Sequence, residues 1–167
     1  MLPTEYLPSG LALRGENPDD RPFLERLFVS NRAAEPGFAA WPEQMRHTFL
    51  VSQFDLQRCH YANAYAGGDF YIVEHNAGAV GRLCLFRTDH DVRVVDVSLT
   101  PQSCGIGLGS ALLRAVQRQA GMQGKTVSLN VEMSNPALRL YRRLGFEQTG
   151  QSDPYWHMIW RPSTGVP

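Results

Sequence analysis

The residues most able to do chemistry gather in the second half of the chain. Gly105-Ile106-Gly107-Leu108-Gly109 falls between a strand stopped by Pro101 and a helix running to about Ala120. A strand, a glycine turn and a helix in succession form an anion site. Backbone N–H groups point outward at the helix start, the dipole favours negative charge, and glycine lets a phosphate reach the main chain. Such turns also serve tight packing alone, so the ligand must be read from the surroundings. A P-loop is excluded: Gly124-Lys125-Thr126 has Gln119 where the first glycine belongs, and a strand follows in place of a helix. A Rossmann nucleotide site is the weaker alternative. Glu132 ends the next strand where a ribose-binding acid would lie, but Ser110 fills the third fingerprint position and too little chain remains for further βαβ units.

The thiols and imidazoles add little. Cys59, Cys84 and Cys104 are an odd number, widely spaced, with no CxxC, and read as reduced thiols. Cys104 lies near the helix start, where a thiol ionises more easily, which admits an acyl-cysteine route; no His stands next to it. His47, His60, His75, His90 and His157 show no ligand spacing, so no metal is expected.

The elements that must position the glycine turn follow from periodicity. Leu11–Arg14 is a first strand. Asn17-Pro18-Asp19-Asp20 opens a helix with an N-cap, a first-position proline and acids in the first turn, and Phe23, Leu24, Leu27 and Phe28 form its buried stripe. A second helix is predicted from Pro42-Glu43 to about Ala62, with Met45, Phe49, Leu50, Phe54 and Tyr61 as its apolar residues. Phe70–His75 and Ala79–Arg87 flank Asn76-Ala77-Gly78, a three-residue connection with the positive φ expected at the glycine. Val92–Leu99 follows, with Val95, Val97 and Leu99 alternating against Val94, Asp96 and Ser98. These short links force antiparallel neighbours. Leu108, Leu112, Val116 and Ala120 form one row of the next helix, which Gly121 is expected to stop. Thr126–Val131 is a strand, Asn135-Pro136 caps a short helix ending at Gly145-Phe146, and Glu147–Gln151 and Tyr155–Trp160 are the last strands. Met1–Ser9 and Pro162–Pro167 read as loose ends.

At 167 residues the chain is expected to be one domain, 1–167, able to bury roughly 70% of its unfolded surface without staples. Sixteen Lys+Arg balance sixteen Asp+Glu, which argues against a nucleic-acid module. No apolar run approaches the ~20 residues of a membrane span, and MLPTEYLPSG has no signal-peptide pattern, so the expected location is cytoplasmic.

Val95 to Phe146, VDVSLTPQSCGIGLGSALLRAVQRQAGMQGKTVSLNVEMSNPALRLYRRLGF, resembles the GCN5-related N-acetyltransferase (GNAT) family. The resemblance implies an α/β fold with a mixed, mainly antiparallel central sheet flanked by helices, in the order β-α-α-β-β-β-α-β-α-β-β. It also implies an acyl-CoA pyrophosphate on an Arg/Gln-x-x-Gly-x-Gly/Ala turn. Gln102 to Gly107 matches that pattern by letter. The spacing from Pro101 and the following Ser110-Ala111-Leu112-Leu113 favour Cys104 to Gly109, with Cys104 in place of the usual Arg or Gln. In that register the implied cofactor contacts are Val97, Ser98 and Leu99 for the pantetheine arm, and Gly105, Ile106, Gly107, Leu108, Gly109 and Ser110 for the pyrophosphate. Asn135 is implied on the arm as well, although Asn before Pro is also simply a good N-cap.

The implied activity is that of an acyltransferase: an acetyl group moves from acetyl-CoA to a primary amine by direct attack through a tetrahedral intermediate. Tyr141 resembles the family's general acid. Family branches that acetylate protein N-termini carry a Glu where Asn130 stands here, and Asn cannot take a proton; Asp96 and Glu132 are the candidate bases, with a water chain as the alternative. The acceptor pocket is expected among Trp41, Gln53, Gln57, Tyr61, Tyr155, Trp156 and His157. The implied partners are a small-molecule or peptide amine and, as an assembly, a homodimer, with no nucleic acid, membrane or metal. A non-catalytic acyl-CoA-binding or interaction domain of the same fold is the alternative function.

Overall fold

A computed structural model describes residues 2–33 and 35–163. The elements in chain order are β1 (Leu11–Gly15), α1 (Arg21–Ala33), α2 (Glu43–Ala64), β2 (Asp69–His75), β3 (Gly78–Arg87) and β4 (Asp91–Leu99), then α3 (Leu108–Met122), β5 (Thr126–Glu132), α4 (Leu138–Arg143), β6 (Glu147–Ser152) and β7 (Tyr155–Trp160). The strands form a seven-stranded sheet ordered β1-β2-β3-β4-β5-β7-β6. Every neighbouring pair is antiparallel except β4 with β5, which the crossover through α3 makes parallel. This is the mixed, mainly antiparallel sheet that the resemblance implied.

Helices cover both faces. On one face, Leu24 of α1 and Phe54 of α2 bury against Ile72 of β2. On the other, Leu112, Leu113, Val116 and Ala120 of α3 pack on Val73, Leu83, Val94, Val127 and Leu129, and Tyr141 of α4 joins them. Asn17 caps a 3-10 turn, Pro18–Asp20, that leads into α1 at Arg21. Its side chain accepts from Asp19 N–H at 2.8 Å, and the Asp20 carboxylate accepts from Asn17 N–H at 2.9 Å, so each satisfies a donor of the other's turn.

Several local expectations change. The hairpin between β2 and β3 turns on two residues, Asn76 (φ 51°) and Ala77 (φ 64°), while Gly78 already pairs with His75. Two consecutive left-handed residues give the turn whose twist matches its strands, so the glycine is not the pivot. Gly121 lies inside α3, where a Cβ would sit 3.4 Å from the Trp160 ring; it allows close packing, and Gly124 (φ 65°) follows the helix end. In α2, Met45 and Phe49 are exposed, and Phe49 stacks with Phe38 and Trp41 at ring distances of 5.8 and 5.3 Å. The N-terminal segment is not loose from Leu2 onward: Leu2 is buried, and its N–H donates to the Tyr71 hydroxyl at 3.3 Å. Thr164–Pro167 and Met1, also expected to be loose, lie outside the described residues.

The change that matters most is in β4. Cys84 pairs with Asp96 but Leu85 pairs with Val94, so Val95 is an extra residue, a β-bulge. The bulge resets the alternation. Val94 shares the α3 face with Val97 and Leu99, whereas Asp96 shares the α1/α2 face with Cys84 and Arg82.

Candidate active site

Beyond the bulge, β4 and β5 part. Their parallel ladder runs from Asp91 with Thr126 to Val94 with Leu129 and no further. The β5-facing edge of Val95–Leu99 is left without a strand partner, and β5 turns instead to β7 through Glu132. A cleft of about 500 Å³ fills the gap, lined on β4 by Val95–Leu99, on β5 by Leu129–Glu132, and by Cys104, Asn135 and Tyr141.

The glycine turn follows directly on Cys104, which lines this cleft. Gly105 (φ 80°) and Gly107 (φ 94°) hold left-handed conformations that side chains disfavour, and a Cβ at either would meet nothing within 4 Å. Gly107 precedes α3, and the first N–H groups of the helix have no capping side chain. A free strand edge beside uncapped helix donors suits an extended amide arm ending in phosphates. Leu108 is buried, so only its backbone is on offer, and Ile106 is exposed. Gly109 packs against Leu140 and Leu99, and Ser110 is half-buried in the first turn of α3. Asn31 of α1 donates from Nδ2 to the Leu99 carbonyl at 3.1 Å and pins the end of β4. Asn135 lines the cleft, but its Oδ1 accepts from Ala137 N–H at 2.8 Å, which leaves its NH2 group for a ligand.

The two polar groups at the centre arrive from opposite faces of the sheet. Tyr141 comes from α4 and is 7% exposed; its hydroxyl hydrogen-bonds to no described residue. Burial, aided by the negative charge of Asp96, pushes its pKa up to about 12. Asp96 comes from the α1/α2 side. Burial raises its carboxyl above the usual range, opposed by the Arg82 guanidinium at 3.9 Å and then by Arg32. Glu132 lines the cleft further along β5, opposite Tyr155 of β7.

Of the residues expected in the acceptor pocket, Gln57, Tyr61 and Tyr155 line the cleft beyond Asp96, together with Phe28, Arg32 and Glu35 of the α1 segment. Trp41, Gln53, Trp156 and His157 do not line it. Trp156 lies on the opposite, core-facing side of β7, and Trp41 belongs to the exposed aromatic cluster. His157 is tied to cleft-lining Asn130, with Nδ1 and Oδ1 2.6 Å apart. Asn31, Arg82 and Glu16 were not foreseen. Arg82 alone left a trace: a charge in the middle of the apolar run AVGRLCLF. Cys104 is an exposed free thiol on the cleft wall, and Cys59 and Cys84 are free as well. Among the described residues no group of His, Cys, Asp or Glu is arranged to hold a metal ion, and no helix is long and apolar enough to cross a membrane.

The sheet splits after a bulged strand, and an uncapped glycine turn follows the free strand end. Residues 66–148, from just before β2 into β6, match the model of the acetyltransferase (GNAT) domain. The chain belongs to the GNAT family. Solved structures agree in fold. The PaiA N-acetyltransferase of Thermoplasma acidophilum, in complex with coenzyme A, has a TM-score of 0.68 at 14% identity, covering 90% of this chain and 98% of that one. An acetyltransferase of Corynebacterium glutamicum described as histone acetyltransferase HPA2 and related has a TM-score of 0.66 at 22% identity, covering 95% and 99%. Naa50 of Arabidopsis thaliana, in complex with the bisubstrate analogue CoA-Ac-MVNAL, has a TM-score of 0.58 at 19% identity, covering 90% and 97%. No curated protein matches the sequence.

Proposed function

We propose that this protein is an N-acetyltransferase that moves an acetyl group from acetyl-CoA to a primary amine by direct attack through a tetrahedral intermediate, the whole chain acting as one cytoplasmic acyltransferase domain. The observation that carries this reading is the end of the β4–β5 ladder at Val94 and Leu129. It joins the free β4 edge, Tyr141 and Asp96 in one cleft, and Cys104 on the cleft wall leads straight into the glycine turn.

In this reading the backbone of Val97, Ser98 and Leu99 pairs with the amides of the pantetheine arm, as an added strand would. The backbone N–H groups from Gly105 to Ser110 take the pyrophosphate, with Ile106, Leu108 and Gly109 contributing main chain only. The Asn135 NH2 group donates to the arm. A β4 backbone N–H faces the thioester oxygen, where negative charge grows during attack. Asp96 takes the proton shed by the amine as the nitrogen–carbon bond forms. Tyr141, held protonated, gives its proton to the sulfur as the carbon–sulfur bond breaks. Asp96 is taken as the base because burial raises its carboxyl toward the proton affinity useful at neutral pH. Amide-bond formation needs no metal here. Phe28, Tyr61 and Tyr155 form the aromatic walls of the acceptor end, which fits a small-molecule or peptide amine.

A panel of amines, with free thiol release from acetyl-CoA as the readout, tests this function. Thiol release with at least one amine, lost in Asp96→Asn, is expected. Tight CoA binding without release for any amine would instead make the protein a non-catalytic acyl-CoA-binding domain.

A further inference from the structure

Asp96 does not stand alone at the floor of the acceptor end. Arg82, on the neighbouring strand β3, is buried with a side chain only 5% exposed. Its Nε and Nη2 both donate to Glu16 Oε2, at 3.1 and 3.0 Å. Its guanidinium lies 5.6 Å from the Tyr61 ring centre and 5.7 Å from that of Phe70. That leaves Nη1 facing Asp96 Oδ2 at 3.9 Å. Glu16 in turn has Arg58 of α2 at 3.9 Å from its other oxygen. The result is a row of alternating charges, Arg58–Glu16–Arg82–Asp96, that ends inside the catalytic cleft.

Burying an arginine in a strand is costly unless its charge and donors are used. Glu16 and the two rings fix the plane of this one, and a fixed plane fixes which edge Asp96 meets. Burial raises the Asp96 carboxyl, and without a cation beside it more of it would stand in the neutral form, in which it can accept no proton.

We propose that Arg82 is a positioning residue for acetyl transfer: clamped by Glu16 between Tyr61 and Phe70, it keeps Asp96 ionised and oriented toward the acceptor amine. This rests on the reading of Asp96 as the base. The other groups that bear on Asp96 are Arg32 of α1, Tyr61 of α2, Cys84 of β3 and Tyr141 of α4, and Glu132 and Glu35 line the same cleft. Arg82 outweighs each of the charged ones, Glu16 included, at the Asp96 carboxyl.

The experiment is a carbon-13 NMR titration of the aspartate side-chain carboxyls, with Asp96→Asn used to assign the resonance. It needs neither acceptor nor acetyl-CoA. Arg82→Gln should raise the Asp96 midpoint by about 1–3 pH units, the size of losing a cation at that range. Arg82→Lys, which keeps the charge, should stay nearer the native value. Arg82→Gln leaves Glu16 with only Arg58, at 3.9 Å, as its cation, so the double variant Glu16→Gln/Arg82→Met removes both charges and is the one expected to keep the fold. Its Asp96 midpoint should still rise. A midpoint unchanged or lowered in whichever of these charge-removing variants folds overturns the proposal. Full turnover in Asp96→Asn would instead sink the base reading, and the titration would still decide whether Arg82 controls Asp96.

Discussion

Asp96 and Tyr141 project from opposite faces of one sheet and meet in the gap between β4 and β5. An amine entering from the α1/α2 side and a thioester held on the α3 side would therefore approach each other through the sheet. Each would find a proton-handling group on its own side. The bulge at Val95 makes this possible, because it turns Asp96 away from the face that carries Val94.

Tyr141→Phe should lower the turnover number by about 10²-fold, the low end for a positioned acid. The hydroxyl bonds to no described residue while the ring packs 5.8 Å from Phe146, so the thermal midpoint and acetyl-CoA affinity should hardly change. Steady-state kinetics with a calorimetric melt checks both. A fall in stability alongside turnover would mean that the hydroxyl holds α4 in place.

The same hydroxyl should be visible in an alkaline titration followed by phenolate absorbance. Burial, the main cause, pushes the Tyr141 pKa up to about 12, against about 10 for an exposed tyrosine, so its ionisation should come late in the titration. Its protonated form belongs to the folded state. The stability it contributes is full below pH 10 and is lost as pH rises through 12. Comparison of native and Tyr141→Phe spectra isolates the group, and a step near pH 10 in the difference would contradict its burial.

Gly107→Val should weaken CoA binding more than it weakens the fold. At φ 94° a β-branched residue is strained by about 1–2 kcal/mol, and the added side chain occupies the space the phosphates would use. Cys104→Ala, in contrast, should leave affinity and turnover near native, since only backbone donors are needed there. Isothermal titration with CoA reads the first variant. Loss of activity in the second, or an acetyl group found on the Cys104 thiol, would point to an acyl-cysteine route.

Most of the fold was legible from pattern, because α1 and α3 carry an apolar stripe at helical period and β2 to β5 are apolar-rich runs bounded by turn residues. Less legible were the places where a local rule met a tertiary demand. Gly121 reads as a helix stop, but Trp160 packs against it and the helix passes through. The hairpin pivot reads as Gly78, but the twist of β2 and β3 selects a two-residue turn on Asn76 and Ala77. The positive φ of Gly105 and Gly107 and the place of Tyr141 on the cleft wall fall within the stretch Val95–Phe146 that carried the resemblance. The Glu16–Arg82–Asp96 row was not legible: it joins residues 66 and 14 positions apart, and the bulge that aims Asp96 leaves no signature in alternating residues.

Acid sensitivity should trace to Asp20. Its carboxylate accepts from both Arg14 Nη atoms, at 2.8 and 2.6 Å, and this pairing lowers its pKa. A lowered carboxyl contributes stability above its unfolded value of about 3.8 and loses it as pH falls below that. Asp20→Asn should cost about 1.5–3 kcal/mol at pH 7, the range for hydrogen bonds to charged groups, and should flatten the acid limb of stability below pH 4. Urea unfolding at pH 7 and pH 3 gives both numbers.

The most direct measurement is a thermal-shift titration with acetyl-CoA and, in parallel, NAD. At a hundredfold excess over Kd a ligand of the native state adds about 2.7 kcal/mol, which for a chain of this size raises the midpoint by roughly 5–10 °C. The split sheet and its glycine turn predict that rise with acetyl-CoA and none with NAD. A rise with NAD and no response to acetyl-CoA would contradict the acetyl-transfer function and return the turn to a nucleotide site.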